Sequence, residues 1–169
     1  MEFWNHGWDH KHWTNLGVAI SEFDRSGLAH QREHLVQAQA ALKQALGTNV
    51  IALGTPYNGF DTNTATVINE SLELRLVFVR NVAAVKKLLR RPLQVVEIIG
   101  ESGGTGKPDA AKFAALWSRR RVIDEPVSLQ FHPPAFKAEQ LAEYSKIVDY
   151  LKAQGCAIRL PTECLLDKP

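Results

Sequence analysis

The stretch 74–99, LRLVFVRNVAAVKKLLRRPLQVVEII, decides the fold. Its two apolar, β-branched runs, Leu74 to Val79 and Leu93 to Ile99, read as strands buried on both faces. Between them Asn81 can cap a helix running to about Arg91, where Pro92 ends it. Working outward, the alternation continues. Upstream, residues 50–54 (VIALG) form a short buried strand stopped by Gly54 and Pro56, and Asp61 to Leu72 a helix that Asp61 or Thr62 could cap. Leu28 to Leu46 is the longest helix, stopped by Gly47, and Glu2 to Asn5 reads as a strand ahead of it. Downstream, Pro108 and Asp109 open a helix through Trp117. Val127 to His132 is a strand halted by Pro133 and Pro134, Lys137 to Gln154 a helix ended by Gly155, and Ala157 to Leu160 a final strand.

About six strands thus interleave with five helices, which predicts an α/β chain. A full eightfold barrel takes roughly 250 residues, and this chain has 169. The expectation is therefore one domain over residues 1–169, an incomplete or distorted (β/α) barrel of about six parallel strands. Chemistry in such a sheet belongs at the C-terminal ends of its strands.

Composition narrows the partners. The chain is 45% hydrophobic and 22% charged, with a net charge of +2, which is ordinary globular composition. So small a charge gives no reason to expect nucleic acid or an acidic membrane surface. No apolar run is long enough to span a bilayer. Residues 1–13 show no basic segment followed by an apolar one, so the expected location is the cytoplasm. Two cysteines, Cys156 and Cys164, are too few for a disulfide scaffold.

Three of the six histidines fall within the first 12 residues. His6 and His10 stand four apart, a spacing that lets two imidazoles reach one metal ion, with Asp9 or His12 as a third ligand or Asp9 as a partner fixing an imidazole tautomer. His30-Gln31-Arg32-Glu33-His34 fits the pattern of inverted zinc proteases, but reads more simply as the solvated face of the longest helix. Gly100 to Pro108 lies where a phosphate loop would. It lacks the first glycine (Glu101 stands there), and Pro108 replaces the hydroxyl residue after Lys107, so it reads as a flexible loop bordering a site. Tyr57, in Gly54-Thr55-Pro56-Tyr57-Asn58-Gly59, presents a flat apolar face with a polar tip. His132 closes a strand, the place for a general acid or base, and Glu97 is a charge within an apolar strand.

In order, these pieces resemble the polysaccharide deacetylase family, the NodB-homology domain of carbohydrate esterase family four. His6-Gly7-Trp8-Asp9-His10 resembles its metal-binding His pair, with Gly7 in the Ser/Thr position. Thr55-Pro56-Tyr57-Asn58-Gly59 resembles its R-x-P-Y-G loop, with Gly54 in the arginine position, and the strand ending in His132 resembles its last motif. The resemblance implies a metal-dependent hydrolase that removes acetyl groups from a polysaccharide or other acetylated glycan. A divalent metal, most simply zinc, would sit on His6 and His10, weakly bound unless Asp9 or His12 completes the set. His132 would be the catalytic acid, and Tyr57, Pro56, Asn58 and Trp8 would meet the substrate. The family's Asp-Asp motif has no counterpart before His6, which implies a domain truncated at its N-terminus. An open sheet edge there predicts a homo-oligomer. The alternative function is an inactive remnant that binds carbohydrate or a partner.

Overall fold

A computed structural model describes residues 2–120 and 125–166. The chain divides into two compact units, Met1–Glu97 with Leu160–Pro169, and Ile98–Arg159. In the first unit β1 (His12–Asn15) and β2 (Val18–Ser21) form an antiparallel hairpin. Then follow α1 (Leu28–Leu46), β3 (Ala52–Gly54), α2 (Thr62–Glu70), β4 (Leu76–Val79), α3 (Val82–Leu88) and β5 (Gln94–Ile99). β3 pairs with β4 and β4 with β5, both in parallel. The strands are buried on both faces, which is why they read as unbroken apolar runs. Leu53, Val77 and Val95 pack in a core with Phe23, Leu35, Val67 and Ile68. Ala52, Leu76 and Val96 form a second cluster, against which Phe78 and Leu165 pack. Truncating a buried leucine such as Leu76 to alanine costs about 2–5 kcal/mol.

Helix ends follow the sequence signals closely. Asp61 accepts from Thr64 N at 2.9 Å while Thr64 Oγ1 accepts from Asp61 N at 3.1 Å, a reciprocal capping box at α2. Asn81 caps α3 through Ala84 N at 3.0 Å. Gly47 ends α1 at φ 71°, a left-handed conformation that costs glycine nothing.

The second unit takes up the last residues of β5 and holds α4 (Ala110–Trp117), β6 (Val127–Leu129) and α5 (Ala138–Ala153). Its core is Phe113, Ile147 and Leu151, with Ile99, Trp117, Leu129 and Phe131 packed around them. Gln130 N donates to Ile99 O at 2.9 Å, and the strand order of the sheet is β3-β4-β5-β6.

The α/β class is as expected, but four strands rather than six make this sheet among the described residues. The β1–β2 hairpin, which lies outside the strands expected from the sequence, is a separate two-stranded sheet that turns through Leu16 (φ 48°) and Gly17 (φ 77°), the two positive φ values of a two-residue hairpin loop. Glu2 to Asn5 contributes only a parallel bridge from Asn5 to Leu53. Ala157 to Leu160 is not a strand: Leu160 N is taken by Glu163 Oε2 at 2.6 Å, at the start of a short helix, α6 (Glu163–Leu166). No helix among the described residues is long and apolar enough to cross a membrane.

Candidate functional site

The N-terminal segment is fastened to β3 by Asn5. Its N–H donates to Ala52 O at 2.8 Å and its carbonyl accepts from Gly54 N at 2.9 Å. The fully buried Asn5 side chain donates to Gln39 Oε1 of α1 at 3.0 Å and accepts from Gly7 N at 2.8 Å. His6 therefore emerges at the C-terminal end of β3. Its Nδ1 lies 2.5 Å from the Gly54 carbonyl oxygen. A carbonyl only accepts, so Nδ1 carries the proton and the lone pair of a neutral ring is on Nε2. Metal-binding imidazoles are commonly oriented by this kind of backbone contact.

The loop after His6 is wrapped around one carboxylate. Glu22, fully buried just past β2, accepts from Trp8 N at 2.5 Å on Oε1 and from His10 N at 3.0 Å on Oε2. His34 Nδ1, on α1, donates to Oε1 at 3.0 Å. The ring of His10 lies 5.1 Å from that of His6 and 4.6 Å from that of Tyr57. Tyr57 donates its hydroxyl to His10 O at 3.0 Å and accepts from His12 Nδ1 at 2.9 Å. Tyr57 and Asn58 both adopt positive φ (57° and 54°) in the turn opened by buried Pro56. Such strain in non-glycine residues is often associated with function. The structure thus gathers His6, His10, His12 and Tyr57 into one array. Trp8, half exposed, lies in the same loop.

Asp9 is committed elsewhere. Its Oδ1 accepts from Lys11 N at 3.1 Å and its Oδ2 pairs with Lys11 Nζ at 3.1 Å. Burial pushes its pKa up, but the Lys11 hydrogen bonds and charge outweigh that and hold it below the usual carboxylate value. Asp9 also faces His34 Nδ1 at 3.8 Å. Among the described residues, Asp9, Glu22 and His34 are the three metal-capable side chains whose ligand atoms lie within 4.8 Å of one another. Their protons argue for a hydrogen-bond network instead. Both Glu22 oxygens already accept N–H groups, and the His34 nitrogen facing them is a donor. The rings of His6 and His10 adjoin, and the bond of His6 Nδ1 to the Gly54 carbonyl leaves its Nε2 lone pair unprotonated in the neutral ring.

The pair His30 and His34 does not lie on a solvated face, although Arg32 and Glu33 between them are exposed. His34 is only 12% exposed, and its ring centroid lies 3.9 Å from that of His30. His30 Nε2 is buried without a hydrogen-bond partner. Burial, then the neighbouring His34, pushes the His30 pKa below its ordinary value. Glu33 is exposed and accepts from Gln37 at 3.0 Å, so no protease-like arrangement forms.

In the second unit, His132 is held by another buried carboxylate. Glu101 accepts from His132 N at 2.5 Å and from His132 Nδ1 at 3.1 Å, and Gly106 N donates to it as well. The His132 side chain remains 45% exposed. A fixed tautomer on an accessible ring suits proton transfer. The same bonds cross the loop Gly100 to Pro108. Glu101 pins it at Gly106, and Ser102 Oγ donates to Asp109 O at 3.0 Å.

Sequence reasoning missed Glu22, His34, Glu101 and Asn5. The available signal was a lone acidic residue beside an apolar run: Glu22 between Ile20 and Phe23, Glu101 just after Ile98 and Ile99.

No family model matches this chain, and no curated protein matches it. Among solved structures it is similar to the wild-type crystal structure of a CE4 family pseudoenzyme from Bacillus anthracis. The TM-score is 0.57 at 11% sequence identity, over 96% of this chain and 45% of that one. The chain spans less than half the length of that structure, and the likeness shows a deacetylase-like fold.

Proposed function

We propose that this chain is a deacetylase-like domain that removes acetyl groups from a polysaccharide or other acetylated glycan, with a divalent metal, zinc first among them, on His6 and His10. The observation that carries the reading is the 2.5 Å contact of His6 Nδ1 with the Gly54 carbonyl, which sets this imidazole in its ligand tautomer beside His10. A metal there polarises an acyl carbonyl and lowers the pKa of bound water. Around it, Tyr57 locks the His10 backbone and the His12 ring in place. The half-exposed faces of Trp8 and Tyr57 suit stacking on sugar rings, with Pro56 and Asn58 shaping the turn that presents Tyr57. In the second unit, Glu101 orients His132 for proton transfer. The test is acetate release from an acetylated glycan in the presence of zinc. Wild type should release acetate and His6→Ala should not; equal rates in the two would overturn the reading.

A second reading, a glycan-binding domain without catalysis, has its own support. Two imidazoles fall short of the three protein ligands usual at catalytic zinc. Asp9 is held by Lys11, and the similar solved fold is a pseudoenzyme. It predicts that wild type binds the acetylated glycan, releases no acetate, and keeps its affinity in His6→Ala.

A further inference from the structure

We infer that Glu22 is the positioning residue of the His6 and His10 pair, a buried carboxylate that fixes the loop carrying both imidazoles. The inference rests on the metal reading above and names what sets its geometry. Glu22 acts through the backbone. The N–H groups of Trp8 and His10, on either side of Asp9, end on its two oxygens at 2.5 and 3.0 Å. One of those amides belongs to His10 itself, and the other lies two residues from His6. With Glu22 fully buried, water has no access to replace these bonds, so the loop path depends on them.

Gly7 is the complement of this carboxylate. A Cβ at position 7 would lie 2.5 Å from Glu22 Oε2 and 2.8 Å from Pro56 Cγ, and the backbone there has φ +87°. Glu22 therefore fills the space of the missing side chain. One further contact holds the carboxylate itself, His34 Nδ1 donating to Oε1 at 3.0 Å, while Ser26 Oγ donates to the Glu22 backbone carbonyl at 2.8 Å and fixes the residue's main chain. The hairpin, the loop and α1 are joined at this one group. Its oxygens face N–H donors, which makes it an organiser of ligands rather than a ligand.

Cobalt(II) titration of the whole chain, followed by visible absorption, tests this. Wild type should bind cobalt and His6→Ala should lose it. Glu22→Gln sets an amide donor against a backbone N–H and should weaken cobalt binding about ten- to a hundredfold. Val67→Ala, a core truncation, should lower stability yet keep cobalt affinity within about twofold. In wild type the Trp8 and His10 amides should exchange slowly with solvent. Unchanged cobalt affinity in Glu22→Gln, or rapid exchange at both amides, overturns the positioning role. If Glu22→Gln fails to fold, His34→Phe carries the test: weaker cobalt binding supports the role and unchanged affinity overturns it. Absence of cobalt binding by wild type, with both amides protected, instead overturns the metal reading and leaves Glu22 as a structural anchor.

Discussion

Glu22 in the first unit and Glu101 in the second solve one problem in the same way, with different results. Each is a buried carboxylate that accepts two backbone N–H groups and the Nδ1 of a histidine. Around Glu22 the histidine, His34, is nearly enclosed, and the bonded amides belong to a loop that presents other histidines. Around Glu101 the histidine itself is the exposed group. A buried carboxylate can thus serve chemistry indirectly, by shaping a loop, or directly, by orienting one ring.

The largest expected effect breaks the comparison at its centre. Glu22→Leu strands two backbone donors and the His34 Nδ1 proton away from water, and should cost about 4 kcal/mol. Glu101→Leu strands two backbone donors while the His132 ring can turn to solvent, and should cost about 2 kcal/mol. Urea unfolding measures both, and equal losses would erase the distinction drawn here.

A smaller effect sharpens the Glu22 side. His30, whose ring lies against that of His34, has its pKa pushed down in the fold by burial and then by His34, with Asp9, Glu22 and Glu33 opposing. The unfolded chain takes up the proton at about pH 6.5. Stability from this group is therefore present above that pH and lost as pH falls through the lower folded value. His30→Phe should flatten the acid decline of the urea midpoint below about pH 6.5 relative to wild type. A parallel decline in the two proteins would contradict the assigned shift.

The smallest stability effect belongs to His132. Its ring is half exposed but donates Nδ1 to the buried Glu101 carboxylate, so His132→Ala should cost about 1 kcal/mol of unfolding free energy. Acetate release, if His132 transfers a proton, should fall by about a hundredfold or more. A large stability loss in this variant would make the residue structural.

What the sequence disclosed follows from what each element buries. β4 and β5 are apolar on both faces, and their runs in 74–99 stand out. The β1–β2 hairpin carries almost no buried side chain, so no alternation marks it, and its turn uses Leu16 where asparagine or glycine would be the recognisable signal. The inward stripe of α1 begins with Gln31, whose amide donates to Ser26 O and to Asp61. A polar residue facing inward escapes hydrophobic periodicity, and the same blindness hid His34 one turn on. Tyr57 was legible from its place after the apolar run that forms β3, and His6 and His10 from their spacing and motif order. Asp9 shares their neighbourhood in sequence, and its carboxylate is bonded to Lys11 N and paired with Lys11 Nζ.

The account turns on His6 and His10 as the metal-holding pair. Equilibrium dialysis against zinc, with metal content read by mass spectrometry in wild type and His6→Ala, tests it most directly. Wild type should bind zinc, weakly where two imidazoles are its only protein ligands, and His6→Ala should bind none. Equal retention in both, or no retention by wild type, would contradict it.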